Sequence, residues 1–90
     1  MNKAQLVDRI VSSIEVPKTQ VEAILNEALD IIKKSVKSGD DVTLVGFGTF
    51  SKSRRQERVG RNPQTGAEIT IPATTVPRFK PGKDFKETVQ

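Results

Sequence analysis

The chain has 90 residues, of which 34% are hydrophobic and 4% aromatic, and its 15 basic and 11 acidic residues give a net charge of +4. This length supports one small domain with a thin core. Because the sequence contains no Cys and no His, it excludes disulfides, thiolate and imidazole metal sites, and catalysis by histidine. The basic excess favours a polyanionic partner, nucleic acid first and an acidic membrane surface second.

The sequence also lacks the features of several other protein classes. Its longest unbroken apolar run is the three residues 23–25, far too short to span a membrane, and the N-terminus has no signal-peptide pattern. We therefore expect a cytoplasmic protein that holds no metal and no cofactor. No group of side chains is suited to catalysis, so we expect neither enzymatic activity nor a small-molecule substrate.

Two amphipathic helices are predicted in the first half of the chain, at about residues 3–14 and 18–38. Their apolar side chains recur with the 3.6-residue period of a helix. They are Leu6, Val7, Ile10, Val11 and Ile14 in the first helix, and Val21, Ile24, Leu25, Ala28, Leu29, Ile32 and Val36 in the second. Pro17 separates the two stripes, so we expect a helical hairpin.

Residues near the predicted helix ends fit common capping patterns. Asn2 with Gln5, and Thr19 with Glu22, have the spacing of a capping box, in which side chains satisfy the free N–H groups of the first turn. Gly39 is suited to the left-handed conformation that ends many helices. The sequence therefore predicts where both helices begin and where the second one ends.

The second half of the chain is predicted to form strands. Residues 42–45 alternate as a strand does, residues 46–48 form a glycine turn, and a second strand begins at Thr49. Between residues 51 and 66 the one aliphatic side chain larger than Ala is Val59. This segment therefore cannot bury a face in a core.

The segment without core residues is predicted to be a protruding arm. Turn-forming residues fill positions 60–66, and residues 68–71 alternate again, so we expect a long β-hairpin at about 52–76. A short helix follows at 84–90. The fold class is thus α+β: an N-terminal helical hairpin, a small antiparallel sheet with a long protruding β-hairpin arm, and a short C-terminal helix.

Charge is concentrated on this arm and its base. Residues 51–83 carry a balance of +6, whereas the rest of the chain carries −2. A helix-turn-helix site is disfavoured, because residues 19–32 contain three acids and no base and would be repelled by phosphate. At the arm tip, Pro63 has two interpretations that the residues leave open: a wedge between base steps, or a residue that only shapes the turn.

The turn, the arm and the final strand resemble a known family. The residues that carry the resemblance are Gly46-Phe47-Gly48-Thr49-Phe50, Arg55, Arg58, Gly60-Arg61-Asn62-Pro63-Gln64-Thr65-Gly66, Ile71-Pro72-Ala73 and Val76-Pro77-Arg78-Phe79-Lys80-Pro81-Gly82-Lys83. Together they resemble the signature of the bacterial HU/IHF DNA-bending proteins, over the whole chain. The run from residue 71 to residue 83 is more similar to HU than to IHF.

The resemblance implies an intertwined homodimer of a single domain, 1–90. Within it, residues 1–39 would be a helical dimerisation region, 40–83 the sheet and DNA-binding arm, and 84–90 the C-terminal helix. The dimer core would contain Leu44, Phe47, Phe50 and Phe79. Size supports a dimer as well, because without the 25-residue arm 65 of the 90 residues remain, and a core of that size supplies only about 3–5 kcal/mol.

The resemblance also implies how the chain meets double-stranded DNA. Pro63 would wedge between base pairs at the arm tip, the arginines beside it would line the minor groove, and the lysines of the body would meet phosphates. The DNA-binding residues predicted in this way are Lys3, Lys52, Arg54, Arg55, Arg58, Arg61, Asn62, Pro63, Lys80, Lys83 and Lys86. Since Arg55 and Arg58 have opposite parity on a straight strand, we expect a bulge or a strong twist between them.

The predicted function is that of a histone-like nucleoid protein, which binds duplex DNA with little sequence specificity and bends and compacts it. Bent, nicked or flexible DNA would bind best. The chain departs from the family pattern at Ser53 and at Glu57, which places a negative charge near the groove. The alternatives are an IHF-like sequence-specific bending protein, an RNA-binding module, and a basic protein that adheres to acidic membranes.

Overall fold

The computed structural model describes all residues, 1–90, and contains three helices and five strands. The helices are α1 (Lys3–Ile14), α2 (Lys18–Lys37) and α3 (Lys83–Val89). The strands are β1 (Val42–Leu44), β2 (Gly48–Arg55), β3 (Arg58–Arg61), β4 (Glu68–Ile71) and β5 (Thr74–Pro81). The α+β class and the order of elements predicted from the sequence are confirmed, and the predicted helix ends are right to within one residue.

The chain divides into two compact units, Met1–Lys34 and Ser35–Gln90, each of which is described by itself. The first unit contains α1 and most of α2. Its two buried side chains are Val7 on α1 and Val21 on α2, and an ion pair of 3.1 Å joins Asp8 to Lys18. None of the helices is both long enough and apolar enough to cross a lipid bilayer.

The two predicted capping boxes had different outcomes. At α1, the Asn2 side chain accepts a hydrogen bond from the Gln5 N–H, and the Gln5 side chain accepts one from the Asn2 N–H, both at 2.9 Å. The prediction for Thr19 is wrong, because α2 already begins at Lys18. The Pro17 carbonyl oxygen accepts the first bonds of this helix, so Pro17, the residue directly before α2, occupies the N-cap position.

The C-terminal end of α2 is capped by a left-handed glycine, as predicted. Gly39 has φ of 92°, in the left-handed region that glycine occupies without strain. Its N–H donates to the Val36 carbonyl at 3.0 Å, and the Asp40 N–H donates to the Ser35 carbonyl at 2.9 Å. Two of the free carbonyl groups at the helix end are thereby satisfied.

The second unit is built on a three-stranded antiparallel sheet in the order β1-β2-β5. A three-residue loop, Val45–Phe47, joins β1 to β2, and within it the Phe47 N–H donates to the Leu44 carbonyl at 2.9 Å. Strands β3 and β4 form a separate two-stranded ribbon. The two strands of the predicted arm are therefore the outer parts of β2 and β5 followed by β3 and β4.

All four phenylalanines meet on one face of this sheet. Phe50 and Phe79 lie opposite each other with ring centroids 4.8 Å apart. Phe47 lies 5.3 Å from Phe79 and 5.0 Å from Phe85 on α3. Phe85 was absent from the predicted core, although it belongs to the same aromatic cluster. Of the core residues predicted for a dimer, Leu44, Phe47 and Phe79 remain 41%, 43% and 38% exposed in the single chain.

Candidate nucleic-acid interface

The arm is interrupted in the middle of its length. Strands β2 and β5 are paired as far as Arg55 opposite Thr74, and pairing resumes with Arg58 opposite Ile71. Two residues on each side, 56–57 and 72–73, are left out of the ladder. Because the number is equal on both sides, the register is conserved and there is no bulge. Of the two alternatives expected here, the bulge is absent and a symmetric break occupies its place, while the strong twist stays a prediction.

The break forms an open cleft of about 390 Å³, lined by Arg55, Gln56, Arg58, Ile71, Pro72 and Thr74. Pro72 has no N–H to donate, which is compatible with a gap in the ladder. The cleft brings Arg55 and Arg58 to one concave surface in spite of their opposite parity. Both arginines are exposed and neither belongs to an ion pair, so both guanidinium groups are free to bind an anion.

Beyond the break, the ribbon packs two isoleucines against a glycine. Gly60 lies opposite Ile69, and a Cβ atom at Gly60 would approach Cδ1 of Ile71 to 3.2 Å. The isoleucine side chains therefore cover the bare backbone at Gly60. This contact is small, because Ile69 remains 46% exposed and Val59 67% exposed.

The tip is a turn tied by four hydrogen bonds. The Asn62 N–H donates to the Ala67 carbonyl at 2.8 Å, and the Asn62 carbonyl accepts from the Gly66 N–H at 2.7 Å. The Asn62 side-chain oxygen accepts from the Gln64 N–H at 2.9 Å, and the Thr65 hydroxyl accepts from the Ala67 N–H at 3.3 Å. These bonds hold Pro63 exposed at the end of the arm. The side-chain amide nitrogen of Asn62 makes no hydrogen bond within the chain and is free for a partner.

The three-stranded sheet has two chemically different faces. Residues that oppose each other across an antiparallel pair share a face, and successive residues alternate. One face, called the aromatic face here, carries Phe50 and Phe79 and, further along, Lys52 and Arg54. The opposite face, called the hydroxyl face, carries Thr43, Thr49, Ser51, Ser53, Arg55, Thr74, Val76, Arg78 and Lys80.

The predicted DNA-binding residues fall into six places. Arg55 and Arg58 meet at the cleft, residues 61–63 lie at the tip, Lys80 lies on the hydroxyl face, and Lys52 and Arg54 lie on the aromatic face. Lys83 and Lys86 are on α3, and Lys3 opens α1 in the other unit. Of the predicted basic residues only Lys83 is near a carboxylate, 3.9 Å from Glu87.

Lys52 has a structural contact that the sequence did not reveal. Its ammonium group donates a hydrogen bond of 2.8 Å to the carbonyl of Lys37, the last residue of α2. A cation at the C-terminal end of a helix satisfies a free carbonyl and interacts favourably with the helix dipole. Lys52 therefore stabilises the junction between α2 and the sheet, and its contact with DNA stays a prediction.

The chain matches the family model described as bacterial DNA-binding protein over residues 1–90. The protein belongs to this family, as its motifs predicted. It is 53% identical over 90 residues to DNA-binding protein HU-alpha of Escherichia coli, with 100% of both chains covered. It is 51% identical over 89 residues to DNA-binding protein HU of Nostoc sp., covering 99% of this chain and 95% of that one.

A solved structure is similar to the chain in both sequence and fold. It is the cocrystal structure of Anabaena HU with DNA, which has a TM-score of 0.91 and 50% sequence identity and covers 99% of this chain and 97% of that chain. The predicted similarity to HU is thereby confirmed. The individual DNA-binding residues stay predictions, since each was assigned from the motif.

Proposed function

We propose that the protein is a histone-like DNA-binding protein that associates with the bacterial nucleoid in the cytoplasm. It binds double-stranded DNA with little sequence specificity, enters the minor groove with its arm, and bends and compacts the duplex. It acts as a homodimer and carries out no chemical reaction. The HU relatives, one of them in a structure with DNA, support this assignment.

The observation that carries the proposal is the arm. It places Arg55 and Arg58 in one cleft, without carboxylate partners, and ends in a hydrogen-bonded turn that exposes Pro63. Arginines neutralise phosphates and enter narrow minor grooves, and an apolar wedge partly unstacks a base step and kinks the duplex. An arm of this construction both binds the DNA backbone and kinks the duplex.

The proposed binding energy comes mainly from phosphate neutralisation. Each neutralised phosphate releases counterions, so the logarithm of the binding constant falls with the logarithm of the salt concentration with a slope of about −0.9 per contact. Bending costs on the order of 1–6 kcal/mol for a smoothly deformed site. DNA that is already bent or nicked avoids part of this cost, so it binds more tightly than an intact linear duplex.

The proposed dimer is supported by the apolar surface that one chain leaves exposed. Only Val7 and Val21 are buried hydrophobic side chains in the whole chain. Large apolar side chains that are more than 40% exposed include Ile14, Ile24, Leu29, Ile31, Leu44 and Phe47. A monomeric soluble domain rarely exposes so much of its apolar material, and a second copy of the chain is the partner that we propose.

The dimer is tested by thermal unfolding over a hundredfold range of protein concentration. Since folding and association are coupled, the melting temperature is expected to rise with concentration. A melting temperature independent of concentration, together with a monomer mass in solution, would contradict the dimer.

DNA binding and bending are tested by mobility shift with linear, nicked and four-way-junction DNA of equal length at several salt concentrations. We expect nicked and junction DNA to bind more tightly than linear DNA, and all three affinities to fall with salt. Equal affinity for the three substrates would contradict a binding mode that deforms the duplex. Tighter binding of single-stranded RNA than of any duplex would favour an RNA-binding module instead.

Sequence specificity is measured by competition with random duplex DNA. For the proposed function we expect a ratio of specific to random affinity well below roughly 10³ for any chosen site. A ratio above this value would favour an IHF-like protein, in which bending is restricted to particular sites.

A further inference from the structure

Arg78 lies on the hydroxyl face, and the motifs did not assign it a role. It lies opposite Ser51, one position from the Phe50–Phe79 pair, and strand alternation therefore places it on the face opposite to the aromatic cluster. Lys80 is two residues further along β5, on the same face and roughly 7 Å away. Arg78 thus extends a line of positive charge between Lys80 and the cleft.

Each cation of the hydroxyl face lies directly opposite a hydroxyl group. Arg55 is opposite Thr74, Arg78 is opposite Ser51, and Lys80 is opposite Thr49. The row of hydroxyls continues onto β1, where the Thr43 and Thr49 oxygens are 3.2 Å apart. On the aromatic face only one of the two cations has such a partner, since Arg54 lies opposite Thr75 whereas Lys52 lies opposite Pro77. Only on the hydroxyl face does every cation have a hydroxyl group directly opposite it.

No acidic side chain competes for these cations. Strands β1, β2 and β5 contain no Asp or Glu, and none of the ion pairs of the chain involves Arg78 or Lys80. Ser and Thr are short, so they do not cover a neighbouring guanidinium or ammonium group. A phosphate is able to accept hydrogen bonds from the cation and the hydroxyl together, which is a common pattern of contacts to the DNA backbone.

We propose that Arg78 is a phosphate-binding residue and that, with Ser51 opposite it, it holds a backbone phosphate of duplex DNA on the hydroxyl face. This inference rests on the proposed function and extends the binding surface beyond the residues that the motifs indicated. The arm would bind in the minor groove of the duplex, while Arg78 contributes to DNA affinity from the sheet without contacting the bases.

The test compares Arg78→Gln with Arg9→Gln, which removes the same charge from an exposed position of α1 that makes no ion pair. Binding of the full-length protein to a labelled linear duplex is measured between 50 and 200 mM salt. We expect Arg78→Gln to reduce the magnitude of the salt slope by about 0.9 per phosphate released, and to weaken binding about eightfold at 0.1 M salt. Arg9→Gln is expected to keep the wild-type slope.

Two further variants separate charge from hydrogen bonding. Arg78→Lys keeps the charge and is expected to keep the slope, whereas Ser51→Ala is expected to weaken binding about fivefold at every salt concentration without changing the slope. Circular dichroism and melting curves confirm that each variant is folded.

Equal slopes for Arg78→Gln and Arg9→Gln would overturn the role of Arg78, and an unchanged affinity of Ser51→Ala would overturn the cation–hydroxyl pair. Failure of the wild-type protein to bind duplex DNA in a salt-dependent manner would instead contradict the proposed function.

Discussion

The base of the long hairpin, formed by β2 and β5, and its outer ribbon, formed by β3 and β4, differ in what holds their strands together. At the base, Phe47, Phe50, Phe79 and Phe85 form an aromatic cluster with ring centroids as close as 4.8 Å. Beyond the break, the ribbon has no aromatic side chain and packs only isoleucines over Gly60. Along its length the hairpin thus passes from a part that stabilises the fold into a part that is free to contact a ligand.

This difference indicates that the arm beyond the break serves binding, whereas the base carries the stabilising aromatic cluster on one face and the proposed phosphate contact of Arg78 on the other. Substitutions at the aromatic base should lower the free energy of unfolding, while substitutions on the arm should change DNA affinity with little effect on unfolding. Four variants, each with a matched comparison, test this division.

The largest effect is expected for Phe79→Ala, because this ring contacts three others in the aromatic cluster. The loss of unfolding free energy should be about 3 kcal/mol, at the low end for such a truncation since the side chain is 38% exposed. Urea denaturation measures it. The matched arm variant, Ile69→Ala, should lose only about 1 kcal/mol. Equal losses for the two variants would contradict the division.

Gly48→Ala is expected to cost about 2 kcal/mol through overpacking. A Cβ atom at Gly48 would lie 2.5 Å from Cε1 of Phe79 and 2.7 Å from the carbonyl oxygen of Lys80, so the ring and the strand must move apart. Gly66→Ala at the tip is the comparison: its φ of 73° imposes strain of about 1 kcal/mol, but nothing lies within 4 Å of the added atom. The two variants are compared by thermal unfolding. A smaller loss for Gly48→Ala than for Gly66→Ala would show that Phe79 is not fixed against β2.

Arg58→Gln should affect binding and leave stability within about 0.5 kcal/mol of wild type, because the side chain lines the open cleft. Removal of one phosphate contact reduces the salt slope by about 0.9 and the affinity about eightfold at 0.1 M salt. Fluorescence titration measures both quantities. Glu57→Gln, the neighbouring variant of opposite sign, should tighten binding. An unchanged salt slope for Arg58→Gln would exclude the cleft from the interface.

The smallest effect is expected for Lys52→Gln, which removes the ammonium group that caps the Lys37 carbonyl. Exposed interactions of this kind are worth about 0.5 kcal/mol, and high salt should reduce the difference. Lys33→Gln, on the same helix without such a contact, is the control. If the two variants have equal unfolding free energies at low salt, Lys52 does not stabilise the end of α2.

Much of the fold was predictable because its signals are local. The apolar stripes of α1 and α2, the capping pair Asn2–Gln5 and the left-handed Gly39 each depend on residues within a few positions of one another. Thr19 was mispredicted because Pro17 already occupies the position before the first helical residue, which leaves Thr19 inside the first turn. A capping-box pattern next to a proline is therefore a weak indicator of the first helical residue.

The features of the candidate site that were not predicted depend on how the strands are aligned with each other, and a single sequence does not fix this alignment. Arg78 lies opposite Ser51, and therefore on the hydroxyl face, but this is known only once β2 is aligned with β5. The cleft likewise arises from a break on both strands, of which Pro72 was the one visible sign. Phe85 was overlooked because α3 is short, although it is the fourth aromatic residue of a chain that has only four.

The most direct test of the account is the bend that the arm tip produces in DNA. End-to-end energy transfer on a short doubly labelled duplex is compared for the wild-type protein and Pro63→Ala at saturating protein, with mobility shift to confirm equal occupancy. We expect a strong increase in energy transfer with the wild-type protein and a clearly smaller increase with Pro63→Ala, because the exposed wedge is lost while the phosphate contacts remain. An identical increase for both proteins would contradict the wedge, and no increase with either would contradict bending itself.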